Sequence, residues 1–469
     1  MGPYEVKRMR NHLVALCLAA LMLVVLASLG FAQTWPFFRG NVEGTGVAGV
    51  ELTPPFALQW KYESGAATPS SGSMPAEMTS TPASDGKNVY FGSGNKVYAC
   101  ELDSGAKLWD YTTDGLVQGA LAVSGDLVLF GTAPSGVDTR AGIGGSVYAI
   151  TASGGKVKWQ MRRTEAGFRS SPVVADGKVF IGSDDSNIYC LDLATGRVLW
   201  QQSTGGCVLS APSIDNDVLF VTSTSGQLQC MEIDTGQPLW STGLASRKAV
   251  SSPCIGAKYV FIGAGQTMSA FSKRSGGLLW SVPTKEVVAC TAAVADGVVY
   301  FGDESGELYA VTEASGDPVW KIDIKTKIES SPAILGKYLL VRGAHGVVVM
   351  VDRVKAETEL MRGESRLVWS YRTSPSYYEL VGYATLSGMG SQFMGSSGMG
   401  FGAGPMGSSG FGGNIAAGVL NAGGAGAGPG SFQASNWRQG NVETLTGASG
   451  TSLEQRGQRA GALAGQGAF

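Results

Sequence analysis

Two histidines, His12 and His345, are all the imidazole in this 469-residue chain. That scarcity counts against a histidine metal site and against a Ser-His or Cys-His triad. His345 itself lies in Gly-Ala-His-Gly, which is turn composition. Carboxylate chemistry and a bound organic cofactor stay open. Two acidic pairs, Asp184-Asp185 and Asp303-Glu304, fall in hairpin-turn sequence without the spacing of a Ca²⁺ loop, and read as solvated turns. Beyond Cys17 the cysteines are Cys100, Cys190, Cys207, Cys230, Cys254 and Cys290. No two are adjacent, and no C-x-x-C-H haem attachment occurs. Cys190 and Cys230 stand six residues before a turn glycine, where Ala99 and Ala310 stand in equivalent stretches, so they read as small buried residues. Their even number leaves disulfides open, with no connectivity implied. Lys plus Arg (35) nearly balance Asp plus Glu (37), and no basic run follows the N-terminus, so nucleic acid is not an expected partner.

The elements that must carry these residues are announced by a repeat. Trp60, Trp109, Trp159, Trp200, Trp240, Trp280, Trp320 and Trp369 are spaced by 49, 50, 41, 40, 40, 40 and 49 residues. Residues 169–202 show the unit most clearly: RSSPVVADG, KVFIGSDDS, NIYCLDLATG, RVLWQQ. Val173-Val174, Val179 to Ile181, Ile188 to Leu193 and Val198 to Trp200 are aliphatic or aromatic runs of strand length. Asp85-Gly86, Asp176-Gly177 and Asp296-Gly297 supply tight-turn chemistry, and Thr195-Gly196, Thr235-Gly236 and Ser315-Gly316 mark a second turn. A lone sheet of four strands cannot bury both faces, and such units persist by stacking around an axis. The spacing therefore predicts an all-β protein, a β-propeller of seven to eight four-stranded blades. One tryptophan per blade, contributing roughly 4–6 kcal/mol at most, anchors each blade to its neighbour. Trp60 has only one strand of its unit before it, so its partners should follow Trp369, within Tyr377 to Leu386. Two units carry inserts, 133–145 and 353–366, where partner contacts are expected as readily as decoration.

Ser-Ser-Pro at a first strand, aromatic-Gly-Ser, Tyr-Ala/Cys-x-Asp and Thr/Ser-Gly-x-x-x-Trp together resemble the pyrroloquinoline-quinone-type propeller repeat of the quinoprotein alcohol dehydrogenase-like superfamily. The opening Trp35-Pro36-Phe37-Phe38-Arg39-Gly40-Asn41 with Gly44-Thr45-Gly46 is similar to the lead-in of its exported bacterial members. The resemblance covers roughly residues 35–372. It implies one of two activities. Dehydrogenases of the family pair the quinone and a calcium ion with a disulfide between neighbouring cysteines, a Glu/Asn/Asp metal shell and an Asp base. Non-catalytic members include the propeller lipoprotein subunit of the outer-membrane protein assembly machine. Here no cysteines neighbour one another, and no catalytic, cofactor-binding or metal residue is assigned. First strands line the channel of a propeller, so the residues entering them form a ring at one mouth: Thr79, Gln118, Arg169, Leu209, Val250, Ala289 and Glu329. Of these, Thr79, Gln118, Arg169 and Glu329 are polar, and Arg169 and Glu329 are read as either gripping a ligand or pairing across a wet channel.

Lys7, Arg8 and Arg10 before the apolar run Leu13 to Leu29, with Gly30 and Ala32 after it, read as an export signal over 1–32. Retention as an anchor is the alternative. Cys17 lies in mid-run after Leu16, which does not suit lipid attachment. Residues 33–60 are then a lead-in and closing strand, 61–386 the propeller, and 387–469 a Gly-rich low-complexity tail. From 388 to 430, 17 of 43 residues are Gly, too little apolar surface to offset ordering, so disorder is expected. The expected function is an exported, periplasmic or envelope scaffold that binds envelope or outer-membrane proteins, without a cofactor. The alternatives are a PQQ- and calcium-dependent oxidoreductase with an atypical site, and a polysaccharide or small-ligand binding propeller.

Overall fold

A computed structural model describes residues 34–49, 52, 54–63, 80–134, 144–162, 166–247, 250–328, 330–355, 365–372 and 379–382. The expected export signal, the tail and most of both inserts lie outside these residues.

The strands are written by the repeat. In the unit that reads most clearly they run Val173–Ala175, Lys178–Gly182, Asn187–Asp192 and Val198–Ser203, paired antiparallel in that order. The first hairpin turns on Asp176 and Gly177, both at positive φ (49° and 70°), as a two-residue connection requires. Seven such meanders follow one another: sheet 1 (83–112), sheet 2 (122–162), sheet 3 (173–203), sheet 4 (213–243), sheet 5 (254–283), sheet 6 (293–323) and sheet 7 (333–372). Their short first strands lie beside one another around a common axis. Second and third strands are buried on both faces, while fourth strands alternate exposed and half-buried. Two-sided burial is why the middle strands read as continuous apolar runs.

There is no central core. Each hydrophobic cluster is shared by two neighbours, as Tyr90 and Ala99 of sheet 1 share one with Phe130 and Tyr148 of sheet 2. The tryptophans sit at these seams. Each indole N–H donates to a main-chain carbonyl of the next sheet: Trp109 to Ala152, Trp159 to Leu193, Trp200 to Ile233, Trp240 to Lys273, Trp280 to Glu313 and Trp320 to Arg353, at 2.8–3.1 Å. Trp60 donates to Leu102 of sheet 1 at 2.7 Å. Trp369 has no following sheet of this kind and instead meets Phe56 edge-on, with ring centroids 5.4 Å apart.

The ring is completed differently from its other seams. Trp60–Glu63 pairs antiparallel with Glu379–Gly382, joining the segments before the first sheet and after the seventh in one small sheet. Trp60 and Tyr62 cover the open face of sheet 1, and Trp35, Ala48 and Phe56 cover that of sheet 7. Val47–Ala48 also pairs in parallel with Ile334–Leu335, which gives sheet 7 a fifth strand.

Candidate functional site in the channel

The segment 35–48 crosses the ring of first strands like a strap. Trp35 exchanges two main-chain hydrogen bonds with Ser84 of sheet 1. Beyond it, the carbonyls of Pro36, Val42, Glu43, Thr45 and Gly46 accept the N–H of Val123, Ile214, Ile255, Val294 and Ile334 at 2.8–3.1 Å, in sheets 2, 4, 5, 6 and 7. Phe37 and Val42 pack beside Val174 and Val173 of sheet 3. Inward-facing amides of first strands would otherwise lack partners, because nothing pairs with the axial side of a propeller sheet. Counting that of Ser84, one strap satisfies six of them. Its centre is Arg39, fully buried, whose guanidinium donates to the carbonyls of Pro332 (2.6 Å) and Ala292 (2.5 Å) in two different sheets. Burial lowers the Arg39 pKa to about 10, against the opposing pull of the Cys254 and Cys290 thiols, so it is still charged at neutral pH.

Above the strap is a cavity of about 160 Å³. Phe38 closes it on the strap side; Leu209, Val250 and Ala289 of the mouth ring border it, and Thr81, Ser210, Ser251, Ser252, Cys290, Thr291 and Ser331 make its wall. The Ser-Ser-Pro motif explains that wall. Its first position ties a first strand to the end of its second strand: Ser251 Oγ accepts the Gly263 N–H at 2.9 Å, and Ser330 Oγ the Arg342 N–H at 2.9 Å. Cys290 holds this position in sheet 6, its thiol donating to the Gly302 carbonyl at 3.2 Å. The second position ties sheets together: Ser171, Ser252 and Ser331 accept the N–H of Ala120, Ala211 and Thr291 in the preceding sheet, at 2.9–3.0 Å.

The mouth ring does not act as one group. Arg169 is turned to Asp184 of its own sheet, Nε to Oδ2 at 3.2 Å. Gln118 is half-buried and its amide oxygen has no hydrogen bond among the described residues. Thr79 and Glu329 lie outside the described residues. His345 falls in a 3₁₀ turn, Ala344–Gly346.

The reading of the acidic pairs as solvated turns is corrected at Asp303, while Asp184, Asp185 and Glu304 lie in turns and are half-buried. Asp303 is 1% exposed; it accepts hydrogen bonds from the Ser305 N–H and hydroxyl, the Glu307 N–H, the Glu286 N–H and the Tyr309 hydroxyl. Burial works against its charge, yet these donors outweigh it and hold its pKa below the usual carboxylate value. Asp184 moves the other way: burial raises it, against the Arg169 guanidinium. A depressed carboxylate pKa contributes stability above the unfolded value of about 4 and loses it as pH falls through the folded one. Asp303→Asn is therefore expected to cost about 1–3 kcal/mol at pH 7 and progressively less below pH 4. Denaturant titrations of both proteins from pH 7 to pH 2.5 measure this, and a gap independent of pH contradicts it.

The cysteines Cys100, Cys190, Cys207, Cys230, Cys254 and Cys290 are free, and all but half-buried Cys207 are buried. Cys190 and Cys230 lie opposite Trp200 and Trp240 in register, as Ala99 and Ala310 lie opposite Trp109 and Trp320. Burial pushes the Cys190 and Cys230 thiols up to about 12, which leaves them unreactive.

A quinone with calcium does not fit these residues. Ca²⁺ takes about 6–8 oxygen ligands, carboxylates prominent among them; the cavity wall offers hydroxyls and a thiol and no carboxylate. Among the described residues no group of three or more His, Cys, Asp or Glu is placed to hold a metal ion. The cavity is also smaller than the roughly 300–1,000 Å³ of organic ligand pockets.

Comparison with known proteins agrees with the architecture. The assembly factor BamB of Yersinia pestis is 28% identical over 277 residues, 57% of this chain and 59% of that protein. The chain spans between 45% and 62% of the length of the curated assembly-factor relatives it matches. The solved BamB of Moraxella catarrhalis is 18% identical with a TM-score of 0.50, covering 63% of this chain and 99% of that one. A quinohemoprotein alcohol dehydrogenase from Comamonas testosteroni is 12% identical with a TM-score of 0.58, covering 75% and 74%. At such identities both structures speak to the fold alone. A family model described as outer membrane protein assembly factor BamB matches residues 57–159, 143–267 and 264–403, and to that family, a lineage of PQQ-type propellers, this chain belongs.

Proposed function

We propose that this protein is an exported, non-catalytic propeller scaffold that binds envelope proteins during outer-membrane protein assembly. The observation that carries the reading is the family match across 57–403, and the channel supports it against the dehydrogenase alternative, because its wall lacks the ligands of a quinone-calcium pair. We read the ring as seven blades with an incomplete eighth, closed by Trp60–Glu63 and Glu379–Gly382. Residues 1–32 direct export, and the inserts 133–145 and 353–366 and the exposed fourth strands are the surfaces for partners. Partners with unpaired strands suit such edges, since an edge strand offers a free row of main-chain groups.

Crosslinking of a tagged full-length chain in its native host, followed by mass spectrometry, tests this. Outer-membrane assembly components and precursor barrels are expected among the captured proteins, and their yield should drop several-fold when both inserts are shortened. Recovery of the propeller alone contradicts the scaffold reading. Dye reduction by protein incubated with PQQ, Ca²⁺ and an alcohol would restore the enzyme.

A further inference from the structure

The cavity above the strap can be read independently of the scaffold function. Its wall is one-sided in hydrogen-bonding character. Ser252 and Ser331 accept main-chain N–H groups from neighbouring sheets, which engages their oxygens and leaves their hydroxyl protons for another acceptor. Thr81 and Thr291 also face the cavity, and their hydroxyls make no hydrogen bond among the described residues. Four hydroxyls whose protons are not engaged among the described residues thus belong to a wall that no carboxylate side chain lines.

A positive charge stands behind them. Arg39 is bound to the carbonyls of Ala292 and Pro332, the residues directly after Thr291 and Ser331. Its field reaches the wall: burial pushes the Cys290 thiol up, and the Arg39 guanidinium works against that rise. Leu209, Val250 and Phe38 supply an apolar side. The volume of about 160 Å³ is room for on the order of ten waters, which suits a compact organic molecule and is too small for a sugar chain or a peptide.

We propose that this cavity is a binding site for a short branched monocarboxylate, its two oxygens taking hydroxyl protons from the wall and its alkyl part resting on Leu209, Val250 and Phe38. Charge-assisted hydrogen bonds are stronger than neutral ones, and a fixed cation in a poorly solvated site favours the anion. An uncharged isostere would lose both terms.

Isothermal titration of the full-length protein with isobutyrate and with isobutyramide tests the proposal, because the two differ in charge and hardly in shape. Isobutyrate is expected to bind at least tenfold tighter than the amide. Thr81→Val and Thr291→Val remove hydroxyls that make no hydrogen bond among the described residues while keeping side-chain volume; each is expected to weaken isobutyrate several-fold and leave the melting temperature within a few degrees. Equal binding of acid and amide, no heat with isobutyrate at tens of millimolar, unchanged affinity in both variants, or tighter binding of inorganic phosphate would each overturn it. None of these results bears on partner capture, so the two readings fail separately.

Discussion

Replacing Arg39 with methionine is expected to lower stability by about 3–5 kcal/mol, the largest effect of any single change in the channel. Methionine relieves the cost of burying a charge, and that relief is outweighed. The carbonyls of Ala292 and Pro332, at the starts of sheets 6 and 7, lose the donor that binds them. The strap is also shaped around the guanidinium: Gly46, at φ 69°, lies against it so closely that a β-carbon would collide with Nη2. Losing that centre should free the strap, and the amides of Val123, Ile214, Ile255, Val294 and Ile334 should then exchange with solvent faster as a set. Arg39→Lys keeps the charge but cannot bridge two carbonyls with a planar fork, so it should recover less than half of the loss. Denaturant unfolding with hydrogen exchange resolved to those five amides makes the measurement. Unaltered protection in the methionine variant would show that the strap is held by its main chain alone.

The second large effect is expected at a seam. Gly236 sits at φ 71°, and a β-carbon there would stand 2.5 Å from Cε3 of Trp200. Gly196 meets Trp159 in the same way, and Gly316 meets Trp280. Gly236→Ala therefore adds a left-handed strain of about 1 kcal/mol and a collision costing about 1–3 more. Trp200→Ala leaves a cavity and an unpaired carbonyl at Ile233, for about 3–5 kcal/mol. In the double variant the alanine occupies space the indole has vacated, so the combined loss should fall short of the sum by at least about 1 kcal/mol. Strict additivity in a double-mutant cycle would mean that the glycine answers only to its turn. A shortfall identifies the Thr-Gly turn as a socket cut for the preceding blade's tryptophan.

The strap runs across the first strands at mid-length. The fourth strands expose Leu199, Leu239, Leu279 and Val319, each directly before a blade tryptophan. Exposed aliphatic side chains beside a free strand edge suit association with another chain.

Much of this protein was legible in its residues because the blades bury the same positions again and again. A tryptophan every forty to fifty residues and paired apolar runs recur seven times, with Asp-Gly turns in three of the units, and repetition turns weak local preferences into a strong signal. The partner of the Trp60 strand was sought after Trp369 for the same reason, and Trp60 does pair with Gly382. What recurs only once left no such trace. Arg39 finds acceptors 253 and 293 residues away, and nothing in Trp-Pro-Phe-Phe-Arg-Gly announces that distance. Asp303 and Asp184 look alike in sequence, yet one is wrapped by five donors and the other is raised by burial, because neighbouring strands decide what surrounds each turn. Cys190 and Cys290 are the same residue, one opposite a tryptophan and the other in a serine's place. Periodic burial is a local property written in every unit, whereas a charge, a floor and a cavity arise only when unlike segments meet at the axis, and that meeting was settled by the closed ring.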